Sequence, residues 1–225
     1  MKQRHYMLRK AAAIGLAAAL CCIPQFLAAK EHAKQNNSGI SYEVDIDHPV
    51  FETEPLLNTQ VTDLVQQTLQ AFNKEAFSAR SPAFPQMFEL DIENSSIYED
   101  TTHISFLLKV YQFTGGAHGS TTHIPVTYSK QTKKLLSLEE VLRPARKDWL
   151  AVLAEEARKQ LKAQVQKQKL ASTEDWIMQG TEPTAENFSV FKLEKDAVRI
   201  IFAQYQVAPY SSGMPEITVP RTLFK

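Results

Sequence analysis

Cysteine is almost missing from this chain. Of 225 residues only Cys21 and Cys22 are cysteines, and both lie in an apolar run close to the N-terminus. With that run removed there is no disulfide framework, no thiolate nucleophile and no cysteine-ligated zinc. Stability must then come from a hydrophobic core. Glycine is scarce as well: there are seven, and three of them, Gly115, Gly116 and Gly119, fall within five residues around His118. No G-x-S-x-G occurs, which removes the usual elbow for a nucleophilic serine, and Ser120 beside a glycine reads as a turn residue. An excess of positive charge is missing too, since 25 Lys and Arg balance 25 Asp and Glu. Nucleic acid is excluded as a partner on that ground, because phosphate binding needs concentrated cations. No internal repeat or low-complexity block is visible.

The first 29 residues differ from the rest. Lys2, Arg4, Arg9 and Lys10 precede Ala11–Ala29, a run with no charge. A basic segment, an apolar segment and the small residues Ala28 and Ala29 make residues 1–29 a secretory signal peptide, cut near Ala29. An uncleaved anchor is the alternative, since the run approaches the length that spans a bilayer, although Pro24 and Gln25 weaken it. Leu20 before Cys21 argues against lipidation. Without the leader the chain keeps 21 basic and 25 acidic residues, a net charge of −4 with His neutral. This modestly favours a cationic partner. The expected compartment is the periplasm or the cell exterior, with the membrane involved only if the leader stays uncut.

Lys30–Gly39 is polar and reads as a tether. Ile40, Tyr42, Val44 and Ile46 then alternate with polar residues as in a half-buried strand. Leu57, Val61, Leu64, Val65, Leu69, Phe72 and Ala76 give a helix over residues 54–78, with Thr53 as N-cap and Pro55 just inside. Phe88, Leu90 and Ile92, then Ile104, Phe106, Leu108 and Val110, read as a hairpin, and Ile124, Val126 and Tyr128 as a further strand. Ser137 and Glu140 form a capping box, followed by a helix over about residues 145–170. Its basic face reads as solvated surface. Residues 188–193 and 198–205 read as a second hairpin, and 216–219 as a last strand. Mixed order with hairpins predicts an α+β fold, mainly antiparallel, with two long helices and two small packed lobes over residues 40–112 and 113–225.

Two groups stand out as candidate sites. Gly115, Gly116 and Gly119 admit positive φ and leave backbone N–H groups bare around His118. They read either as a bulged hairpin turn or as a surface opened for a partner. Tyr205 and Tyr210, with Pro209 and Gly213, form the other group, read either as core and turn residues or as an aromatic recognition patch. Should the two turns meet in space, the binding reading gains. His103, His118 and His123 form the one histidine set in the folded part, but their spacing matches no recognised ligand pattern, so no metal and no cofactor are expected. Glu139–Glu140 and Glu155–Glu156 are neighbours on helices and point apart, which suits cap and surface charges rather than paired catalytic acids.

Residues 111–142, "YQFTGGAHGSTTHIPVTYSKQTKKLLSLEEVL", and 186–220, "ENFSVFKLEKDAVRIIFAQYQVAPYSSGMPEITVP", resemble an extracytoplasmic bacterial family called domain of unknown function 3298. The segment from about Ile40 to Val110 is similar to its companion domain 4163, a pair found in RsiV-like anti-sigma factors and ahead of the catalytic domain in PdaC-like peptidoglycan deacetylases. Only ten residues precede the apolar run, too few for a sigma-binding segment, and no metal-binding deacetylase domain follows. The resemblance therefore implies the outer binding module alone. Its implied partner is a cell-wall glycan or a lysozyme-like protein; the binding residues read from the two turns themselves are Gly115, Gly116, His118, Gly119, Tyr205 and Tyr210, with no catalytic residue. A cell-wall hydrolase or metal-dependent enzyme with a site near His118 is the alternative.

Overall fold

The computed structural model describes residues 30–37, 40–79, 86–143, 145 and 147–225. The leader and its cleavage point lie outside them. Two antiparallel strands open the fold, β1 (Lys30–Asn37) and β2 (Ile40–Asp47), in register from Lys30 opposite Asp47 to Asn37 opposite Ile40. Of the tether expected over residues 30–39, residues 30–37 form an edge strand instead, and residues 38 and 39 lie outside the described residues. An edge strand is held by backbone pairing on one side, so a polar sequence suffices when its neighbour is well anchored. The anchor is β2, whose Tyr42, Val44 and Ile46 face the core.

Helix α1 (Pro55–Ala79) follows, and Leu57, Val61, Val65, Leu69, Phe72 and Ala76 are buried along one stripe. Pro55 is its first residue rather than its second, because Thr53 lies in the preceding turn and Glu54 directly precedes the helix. Lys133 Nζ lies 2.9 Å from the buried Glu54 carboxylate. That bond holds the carboxyl below its ordinary range, against the opposing effect of burial.

After α1 the chain enters β3 (Gln86–Asn94), which pairs parallel with β2 from Ile40 opposite Gln86 to Ile46 opposite Ile92. This β–α–β crossover is the one parallel pair among the described strands. The short β4 (Tyr98–Glu99), β5 (His103–Phe113), β6 (Ser120–Ser129) and β7 (Lys134–Leu135) complete a seven-stranded sheet in the order β1-β2-β3-β5-β6-β7, with β4 against β5. The expected mainly antiparallel α+β fold is observed.

The first core lies between α1 and one face of this sheet, where Phe88, Leu90, Ile92, Ile104, Phe106, Leu108, Val126 and Tyr128 are buried. A second core begins at Leu138. Residues 113–135 therefore complete the first sheet, and the lobe boundary expected at 113 falls inside a hairpin. The division comes at about residue 136.

The second core is built by α2 (Leu138–Leu142), α3 (Trp149–Gln166), α4 (Glu174–Gly180) and a three-stranded sheet of β8 (Phe191–Leu193), β9 (Ala197–Ile201) and β10 (Glu216–Pro220) in the order β10-β9-β8. The Ser137–Glu140 capping box is formed, with both reciprocal bonds present. Edge strand β10 is closed by α3: Gln160 bonds to both the N–H and the C=O of Thr218, and Gln164 Nε2 donates to the Glu216 carbonyl. Two glutamines one turn apart thus satisfy an edge that would otherwise be open to another strand.

The two cores touch through β5. Ser105 and Thr127 are buried and share a 2.8 Å hydroxyl bond, and Ser105 Oγ also accepts from Leu193 N at 2.8 Å. Beside them Lys192 is buried, its Nζ donating to Ser96 Oγ at 2.7 Å, and burial lowers its pKa.

The turn into β5 is set by Asp100. Burial alone would raise its carboxyl, but bonds from Thr102 N, Thr102 Oγ1, His103 N and Tyr98 Oη hold it well below the usual carboxylate range. A depressed carboxyl stabilises the fold above its unfolded value near 4, and that contribution is lost as pH falls through the lower folded value. Asp100→Asn is therefore expected to cost about 1.5 kcal/mol at neutral pH. Urea titrations should show this difference constant from about pH 5 to 8 and shrinking below about pH 4.

Candidate functional site

The six residues between β5 and β6, Thr114–Gly119, form the hairpin loop at the far end of the large sheet. Gly115 and Gly116 have φ of 104° and 95°, where a side chain is strained. Gly119 has a different reason. A Cβ there would lie 2.5 Å from the far end of the Tyr111 ring, so glycine lets that ring lie against the loop where any other residue would push it aside. The loop is fastened to α1 by Glu75, which accepts from Thr114 Oγ1 at 2.8 Å and Gln112 Nε2 at 3.2 Å.

The second distinctive turn arrives at the same place. Tyr210 Oη donates to the Gly119 carbonyl at 3.1 Å, a bond between residues 91 apart in sequence. The His118 and Tyr210 rings stack at a centroid distance of 4.2 Å with a 30° tilt, and Tyr205 and Tyr210 lie 5.7 Å apart with a 35° tilt. His118 Nδ1 also lies 2.9 Å from the Gly119 carbonyl. The structure thus gathers His118, Gly119, Tyr205 and Tyr210 into one patch, next to Gly115 and Gly116. Thr121 N, which donates to Gln204 Oε1 at 3.3 Å, adds a second link between the turns.

Tyr205 is 53% exposed and has φ 66°. A bulky residue in the left-handed region costs about 1 kcal/mol or more. Its neighbours hold it there. Trp176 Nε1 donates to the Tyr205 carbonyl at 2.8 Å, and Gln206 N donates to the Ala203 carbonyl at 3.0 Å. The Gln206 side chain accepts from Ala203 N and donates to the carbonyls of Gly180 and Asn187, each at 2.9 Å. Beyond Pro209 the chain makes one tight helical turn over Tyr210–Ser212 and leaves it through Gly213 at φ 69°. Ser212 Oγ ties this turn to the Ala171 carbonyl at 3.1 Å.

Trp176, Gln204 and Gln206 are the members of this arrangement that the sequence reading missed. Trp176 sits on α4, a segment to which the sequence reading assigned no element. The available signal was Thr173 followed by Glu174 and Asp175, and Thr173 does cap the helix by accepting from Trp176 N.

The three histidines are not gathered. His103 starts β5 opposite Ser129, and His123 pairs with Lys109 six residues further along that strand, roughly 20 Å away. His123 lies partly buried; burial first, and Lys109 second, lower its pKa. Among the described residues no group of three or more His, Cys, Asp or Glu is placed to hold a metal ion, and no helix is long and apolar enough to cross a membrane.

Two family models match different parts of the chain. Residues 139–222 match the family model described as protein of unknown function (DUF3298), and residues 23–121 match the model described as deacetylase PdaC. The peptidoglycan-N-acetylmuramic acid deacetylase PdaC of Bacillus subtilis is 24% identical over 189 residues, which are 84% of this chain and 39% of that protein. The chain therefore spans about two fifths of the length of this curated relative. A solved DUF3298 family protein from Pseudomonas aeruginosa aligns with a TM-score of 0.56 and 22% identity over 86% of this chain and 90% of its own. A member of the same family from Bacteroides fragilis aligns with a TM-score of 0.57 and 16% identity over 86% and 89%. These two likenesses show the α+β fold.

Proposed function

We propose that this protein is an extracytoplasmic, non-catalytic binding module of the bacterial cell envelope, and that its binding surface is the patch formed by His118, Tyr205 and Tyr210 on the bare glycine turn. The observation that carries this reading is the Tyr210–Gly119 bond, which joins two turns 91 residues apart into a single surface. Recognition surfaces favour rings that present large area with little entropy to lose, mounted on a rigid scaffold. Here one ring stands half exposed in a strained backbone that Trp176 and Gln206 brace from below. The leader-like N-terminus supports export, and the similarity to a peptidoglycan deacetylase supports a cell-wall setting. The ligand is a cell-wall component or a lysozyme-like protein.

The test is co-sedimentation of the purified protein with peptidoglycan sacculi, beside capture on immobilised lysozyme. Retention by either supports a binding module; retention by neither contradicts it. His118→Ala should weaken that retention about fivefold, because it removes the ring stacked on Tyr210. The melting temperature should stay within about 2 °C, since His118 is exposed and surface changes of this kind are nearly neutral. Unchanged affinity in the variant would remove the glycine turn from the site.

A further inference from the structure

We infer that the patch is a saccharide platform, on which the C–H face of a pyranose ring packs against Tyr205 and Tyr210; this deepens the binding-module reading and rests on it. Four observations point to a sugar. The rings of His118, Tyr210 and Tyr205 follow one another at 4.2 Å and 5.7 Å with tilts of 30° and 35°, so that His118 covers one face of Tyr210 and Tyr205 extends the same aromatic strip. Every hydrogen bond that holds the strip goes to a neutral group: the Gly119 carbonyl for His118 and Tyr210, and Trp176 Nε1 for the Tyr205 carbonyl. A cationic protein or peptide would need carboxylates there. A sugar ring needs the reverse, an uncharged π face for its slightly positive C–H groups and neutral donors and acceptors for its hydroxyls.

Such groups rim the strip. The Tyr205 hydroxyl makes no hydrogen bond among the described residues, and the hydroxyls of Ser120 and Ser211, both exposed, flank the two turns. The fourth observation is preorganisation. Left-handed φ at Tyr205 sets the direction in which its Cα–Cβ bond leaves the backbone, and the tie from Trp176 to its carbonyl holds that backbone before any ligand arrives. A weak ligand such as an oligosaccharide gains most from a surface that loses no freedom on binding.

Intrinsic tryptophan fluorescence reads this site directly. Of the two tryptophans, Trp149 is buried in the second core, while Trp176 lies under Tyr205. Titration of the intact protein with chitotetraose, and with glycan strands freed of peptide, should give a saturable change. Tyr205→Ala and Tyr210→Ala should each weaken it about tenfold, whereas Tyr205→Phe should stay within about threefold. Far-UV circular dichroism would confirm that each variant is folded.

Saturable binding that both alanine variants leave unchanged would overturn the platform and the placing of the binding surface at this patch, and leave only the binding-module role standing. Lysozyme captured, with no response to either saccharide at millimolar concentration, would overturn the saccharide assignment alone. Failure of both saccharides, of sacculi and of lysozyme would overturn both readings.

Discussion

Gly180→Ala is expected to cost the fold about 3 kcal/mol or more, the upper end of what overpacking usually costs. A Cβ at this position would lie 2.0 Å from the Gln206 carbonyl oxygen, 2.7 Å from its carbonyl carbon and 2.7 Å from Val207 Cγ1. The first two are backbone atoms, so no side-chain rotation relieves the clash. Gln206 cannot easily retreat, because its side chain is bonded to Ala203, Gly180 and Asn187. The strain would pass to the turn carrying Tyr205, and ligand binding should fall with stability. Urea unfolding would measure it. A midpoint close to that of the parent would mean that α4 and the 203–207 turn are not packed as described.

Phe106→Ala should be costlier still, about 4 kcal/mol. Phe106 is fully buried at the centre of the first core, opposite Val126 on β6 and 5.9 Å from the Phe51 ring. The same strand is also covered on its other face, where Ser105 and Leu107 are buried. A cavity opened here is flanked by a rigid sheet and by α1, and neither can collapse into it. The m-value should stay near that of the parent, since the loss is of packing and not of compactness. A loss under about 1.5 kcal/mol would contradict the central place given to β5.

Elements whose identity is written in their own residues were legible in the sequence. The stripe from Leu57 to Ala76, the Ser137–Glu140 box and the alternations in β3, β5 and β6 each carry a local physical signal, and each was found. The missed elements take their structure from neighbours. Strand β1 has no apolar face to announce it and exists because β2 offers backbone partners. The β2–β3 pairing crosses α1, and no local pattern tells a parallel crossover from two separate strands. Helix α4 is seven residues long and exposes most of its surface, too little for a periodic stripe to show. The long helix expected over residues 145–170 was right in kind but shorter, because Gln168 turns to φ 55° just after α3 ends.

The two turns of the candidate site were legible for a related reason. Glycines at Gly115, Gly116 and Gly119 and the Tyr205–Gly213 turn are unusual enough to be noticed in isolation. Their meeting is a tertiary fact, set by how β8 lies against β5 and β6 and by the bracing from Trp176 and Gln206. No single residue in either turn encodes the other.

The central claim is that these two turns act as one docking surface. Chemical-shift mapping of backbone amides, with peptide-free glycan strands titrated into ¹⁵N-labelled protein, tests it most directly. The amides of Gly116, His118 and Gly119 should move together with those of Gln206, Tyr210 and Gly213 and give a single Kd. Shifts confined to one turn, or a set of shifts that leaves both turns untouched, would contradict it.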